Sequence, residues 1–90
     1  MAGMDKATTI KIVLRELELL AKGDRDRLVG YKKAANALRN GDPEPALNFL
    51  REWRDHEDER ELDRSQYKSY RRHAGKMAFM YNQWIRALES

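Results

Sequence analysis

The chain has two histidines, His56 and His73, and no cysteine. These are the residues from which any reactive centre would start. His56 stands in the run Asp55-His56-Glu57-Asp58-Glu59, and on a helix Glu52, His56 and Glu59 share one face. Carboxylates and imidazole suit a hydrated divalent ion. A di-iron bundle, however, uses paired Glu-x-x-His motifs, and no glutamate precedes either histidine by three. The run therefore reads as a solvated acidic face. His73 follows Arg71-Arg72, with no acidic group spaced to act with it. Ser65, Ser69 and Ser90 lack a nucleophile-elbow context, and no glycine-rich phosphate loop is present. The sequence predicts a protein that is not an enzyme, with no catalytic residue, cofactor or metal ligand.

Binding residues are richer. Lys68, Arg72, Lys76, Phe79, Gln83 and Arg86 recur at spacings of three and four, which lines them up on one side of a helix. Cations so placed can neutralise phosphates, and Phe79 can stack on a base. Tyr67, Tyr70 and Arg71 lie nearby, and Lys32, Lys33 and Arg39 extend the basic character upstream. The plain alternative is a solvated outer face whose Lys and Arg stems cover apolar surface. No recognised nucleic-acid motif accompanies the strip. An acidic segment lies beside it in sequence, with Asp55, Asp58, Glu59 and Glu61 as its contact face, and it would repel phosphate. Interface cores favour Tyr, Trp, Phe, Met and Arg, which the last third of this chain gathers. The leading expectation is a small regulator, adaptor or stoichiometric inhibitor, of bacterial or phage type, that binds another protein. Nucleic acid is the alternative partner. The acidic residues would then form a charged rim or imitate phosphates toward a basic partner.

The elements that position these residues follow from composition and periodicity. Charged residues make up 37% of the chain, and Leu, Ala, Arg, Lys and Glu, which lose little rotamer freedom in a helix, dominate. Val, Ile and Thr are too few to build a sheet. The fold class is all-α: a small antiparallel bundle of about four helices in a single domain of 90 residues. Met1-Ala2-Gly3 ahead of Met4 reads as a cloning remnant. The absence of cysteine and of long apolar runs fits a cytoplasmic protein with no membrane role. Net charge is +3, unevenly spread. Residues 1–41 carry nine Lys/Arg against five Asp/Glu, residues 42–64 four against nine, and residues 65–90 five against one.

Helices are expected near 8–22, 25–39, 43–56 and 65–89. Ile10, Val13, Leu14, Leu17, Leu20 and Ala21 form the stripe of the first, with Ile12 and Leu19 on a second face. Gly23 is expected to end it in a left-handed conformation, and Asp24 to cap the second helix. Leu28, Tyr31, Ala35 and Leu38 mark the second helix, and Asn40-Gly41 closes it. Asp42-Pro43 opens the third, which buries Ala46, Leu47, Phe49, Leu50 and Trp53. Residues 55–64 read either as a solvated extension of that helix or as a connector. Tyr67, Tyr70, Ala74, Met77, Tyr81, Trp84 and Leu88 form the seam of the longest helix. Part of that seam is expected to overhang, which would favour a homodimer or a partner helix. Trp53 and Trp84 should lie in or beside one core, with Leu17, Leu38, Leu50, Met77 and Tyr81. Gly75 suggests the close approach of another backbone.

Tyr31 to Trp53, with small residues, "AL", a "GD" turn and "AL" again, resembles the helix-turn-helix of a tetratricopeptide repeat. The unit does not recur, and solenoids need several stacked units, so the segment reads as a single αα-hairpin.

Overall fold

The computed structural model describes residues 5–90, so the expected remnant at residues 1–3 lies outside the described residues. Four helices follow one another: α1 (Lys6–Gly23), α2 (Leu28–Arg39), α3 (Glu44–Leu62) and α4 (Lys68–Glu89). No strand occurs among the described residues, so the all-α expectation holds.

Each helix boundary has a local cause. Asp5 caps α1: its carboxylate accepts from the Thr8 amide at 2.7 Å and the Thr8 hydroxyl at 3.0 Å. The bond from Thr8 holds the Asp5 carboxyl below its ordinary value. Gly23 is the last residue of α1 and does not turn left-handed, contrary to expectation; the helix closes when the Asp24 amide donates to Leu20 O at 2.9 Å. The second helix also starts three residues late. The Asp24 carboxylate accepts from the Arg27 amide at 3.2 Å and caps a turn over residues 25–27 instead of α2 itself. Arg25, Asp26 and Arg27 offer no apolar group whose burial would extend the helix.

Gly41 supplies the left-handed residue, with φ 88°. Around it the Asp42 amide reaches back to Ala37 O at 2.8 Å and the Gly41 amide to Leu38 O at 3.2 Å, a Schellman closure that satisfies carbonyls of the last turn. The Asp42 carboxylate then accepts from the Glu44 amide at 3.1 Å to start α3, with Pro45 in its first turn.

Residues 55–62 continue α3, which settles the choice between helix and connector. The chain reverses over 63–67, where Asp63 Oδ1 takes the Ser65 hydroxyl at 2.6 Å and the Ser65 amide at 3.0 Å. Tyr67 consequently sits in extended backbone before α4. The predicted seam loses its first member, and Tyr67 is exposed.

The core lies where all four helices meet. Val13, Leu17 and Ala21 from α1 join Tyr31, Ala34, Ala35 and Leu38 from α2, Ala46, Leu47 and Leu50 from α3, and Trp84, Ile85 and Leu88 from α4. Trp53 and Tyr81 pack half-buried against it, as expected, whereas Met77 is half-buried outside that cluster. An unbroken aromatic chain crosses from α2 to α4. Ring centroids run Tyr31–Phe49 at 4.9 Å, Phe49–Trp53 at 5.9 Å, Trp53–Tyr81 at 5.8 Å and Tyr81–Trp84 at 5.5 Å, within the range where aromatic pairs attract.

The molecule is flat, 41 × 39 × 16 Å. Its thin dimension matches two helix layers stacked at roughly 8–10 Å. The core draws on the first half of α3 and the second half of α4. Their other halves pair with each other as an arm, closed around Ala74 and Ala78, which are 1% and 4% exposed. The α4 seam does not overhang alone, because the charged half of α3 runs beside it.

Candidate functional site

The α3/α4 hairpin positions both the basic strip and the acidic run, whereas Lys32, Lys33 and Arg39 lie exposed on α2. Small side chains set the spacing: Ala74 and Ala78 face inward, letting α3 approach α4 closely. One flank of the hairpin is tied by polar bonds. Arg51 pairs with Glu89 at 3.1 Å, Arg54 Nη1 donates to Asn82 Oδ1 at 3.3 Å, and Arg71 Nε donates to the Glu61 carbonyl at 2.8 Å. On the other flank Arg60 lies 5.6 Å from the centroid of Tyr70, a cation–π distance. Tyr81 projects beside Glu57 and Glu16; burial first, then these carboxylates, raises its hydroxyl above the ordinary tyrosine value.

These bonds sort the candidate residues. Lys68, Arg72, Lys76, Phe79, Gln83 and Arg86 all lie exposed along the outer side of α4. The strip is about 27 Å long at 1.5 Å per residue. Phe79 is 64% exposed at its middle, with Met80 beside it at 40%. Among the described residues, Lys68, Arg72, Lys76 and Arg86 form no ion pair with a carboxylate. Arg71 departs from the expectation: it is half-buried and turned toward α3, where it serves the hairpin.

The acidic candidates divide in the same way. Asp55, Asp58 and Glu59 are exposed on α3. Glu61 is exposed as well, but its carboxylate lies over Gly75, its Oε2 2.6 Å from where a Cβ would stand. This corrects the reading of Gly75, because the close neighbour is a flexible side-chain end and not another backbone. Glu61 also lines a shallow depression with Lys68, Arg71, Arg72 and Gly75, so part of the acidic segment answers the basic one internally.

Glu52, His56 and Glu59 border a second depression with Arg27, Trp53 and Asp55. Arg27 is part of its wall and pairs with Glu52 at 3.2 Å. Among the described residues no three His, Asp or Glu side chains converge as a metal-ligand set, and no helix is long and apolar enough to cross a membrane.

One feature was not visible in the sequence, a groove of about 530 Å³ between α1 and α2. Its floor residues Leu17, Ala21, Tyr31 and Ala35 read as ordinary core stripes. The available signal was the placement of two alanines, Ala21 and Ala35, on helices that pack together, since small facing residues leave a furrow. Comparison of the chain with protein-family models, curated proteins and solved structures finds no match.

Proposed function

We propose that this chain is a non-catalytic protein-binding module that docks a partner on the outer side of α4. The observation that carries the reading is Phe79, left 64% exposed in mid-helix between cations that form no ion pair with a carboxylate among the described residues. A phenylalanine that the fold does not bury, ringed by Arg72, Lys76, Gln83 and Arg86, has the make-up of an interface centre with a polar rim. The chemistry asks for a partner with an apolar recess edged by carboxylates.

A polyanion is the second reading, favoured by the strip of unpaired cations. Asp55, Asp58 and Glu59 weigh against it. They sit exposed on the adjacent helix, whose axis packs roughly 8–10 Å from that of α4, so a polyanion broad enough to reach past α4 meets them. Phosphates laid on α4 would feel their repulsion, whereas a protein surface can match both signs.

Fluorescence anisotropy separates the two readings. Labelled single- and double-stranded oligonucleotides are titrated across a salt series, beside an Arg72/Lys76/Arg86 triple-alanine variant. The protein-binding reading predicts weak binding with no sequence preference that vanishes near physiological salt. Micromolar or tighter binding that persists there and is lost in the variant would make nucleic acid the partner.

A further inference from the structure

We infer that the groove between α1 and α2 is a second docking site, one that takes an acidic amphipathic helix. It is lined by α1 and α2 alone, so it shares no residue with the outer strip of α4. Its floor is apolar, formed by Leu17, Ala21, Tyr31 and Ala35, with Leu28 at one end. The wall along α2 runs from Leu28 to Arg39, about 16 Å or three helical turns. The α1 wall is shorter, from Leu17 to Lys22, and the furrow is open except where the Arg39–Glu18 pair spans one end. That shape accepts the apolar stripe of a third helix, with anchors at i, i+3 or i+4, and i+7.

Charge names the occupant. Arg39 and Glu18 pair across the furrow and neutralise each other at one end. Lys22 on the α1 wall and Lys32 on the α2 wall have no carboxylate within ion-pair distance among the described residues. Unmatched cations on both walls call for carboxylates on both edges of the incoming stripe. A basic helix would meet like charge on either side. With a protein docked on α4 and an acidic helix held here, the chain bridges two partners.

The test uses the full chain labelled with ¹⁵N and two synthetic amphipathic peptides of about four helical turns. Both peptides carry the same leucine stripe; one is flanked by glutamate and the other by lysine. The Glu-flanked peptide is expected to shift amide resonances of residues 17–22 and 28–39 at micromolar concentration and to leave residues 68–86 unmoved. A K22E/K32E variant, altered only at exposed positions, should weaken that binding about tenfold and strengthen the Lys-flanked peptide. No shifts at millimolar Glu-flanked peptide would overturn the inference, as would equal binding of the two peptides or indifference to the charge reversal. Shifts of the same residues by dodecanoate but by neither peptide would also overturn it, marking a site for small anionic amphiphiles. Because the readout residues belong to α1 and α2, failure here leaves the α4 reading standing, and the converse holds.

Discussion

Ala78 and Phe79 are adjacent on α4 and opposite in environment: Ala78 is 4% exposed against α3, and Phe79 is 64% exposed to solvent. The fold spends its smallest apolar side chain where helices meet and leaves a large one outside. Packing explains the alanine. It does not explain the phenylalanine, whose burial would yield on the order of 2 kcal/mol that folding leaves unused.

This separation gives a first prediction. Phe79→Ser should change stability by no more than about 0.5 kcal/mol, as exposed substitutions generally do. Ala78→Leu should cost about 1–3 kcal/mol by forcing α3 and α4 apart. Urea denaturation of both variants checks the pair. A large loss in the Phe79 variant would show that the ring is structural.

Two glycines should behave oppositely. Gly41 has φ 88°, so Gly41→Ala strains the Schellman turn and should cost about 1–2 kcal/mol. Gly23 ends α1 without a positive φ, and nothing lies within 4 Å of where its Cβ would stand. Gly23→Ala should be neutral or stabilising, by up to about 1 kcal/mol. Thermal unfolding of the two variants decides it.

The arm should open before the core. Between α3 residues 55–62 and α4 residues 68–76 only Ala74 is fully buried, and local stability tracks buried apolar contact. Native-state hydrogen exchange should find the amides of 55–73 exchanging far faster than those of Leu17, Leu38, Leu50 and Trp84. Trp84→Ala, at a site 3% exposed, should cost about 3–5 kcal/mol.

Acid should loosen the N-terminus of α1 and the turn at 63–67. Bonds from Thr8 hold the Asp5 carboxyl below its ordinary value, and bonds from Ser65 do the same for Asp63. Since the folded-state pKa is the lower one, the stabilisation is present above the ordinary aspartate range. It is lost as pH falls through the folded value. Amide shifts of Thr8 and Ser65 followed from pH 6 downward should titrate below the ordinary aspartate range, and Asp5→Asn should remove the Thr8 transition.

Four helices were legible because Val13, Leu17, Leu38, Leu50, Trp84 and Leu88 fall at helical spacing and all reach the core. The extension of α3 was not, because periodicity counts only apolar residues. Residues 55–62 hold one such residue, Leu62, and it is exposed. What packs there is polar: Arg60 over Tyr70, and the Glu57 side chain only 13% exposed beside it. The outer strip of α4 was readable for the same geometric reason as the core, as the complement of the seam. Arg71 was misplaced because one helical step decides whether a cation meets solvent or the Glu61 carbonyl. The α1/α2 groove depends on how two helices cross; Ala21 and Ala35 are its one trace in the sequence, and they read equally well as ordinary core positions.

If Phe79 lies at the centre of a protein interface, photo-crosslinking from that position reads it directly. A benzophenone amino acid replaces Phe79, or Lys33 as a control site, in cells that naturally make the chain, followed by irradiation, nuclease treatment and mass spectrometry. The expected result is a discrete protein adduct at position 79 that is absent at position 33 and lost when Arg72, Lys76 and Arg86 become alanine. Adducts confined to nucleic acid, or a protein adduct indifferent to those three substitutions, would contradict a protein interface centred on Phe79.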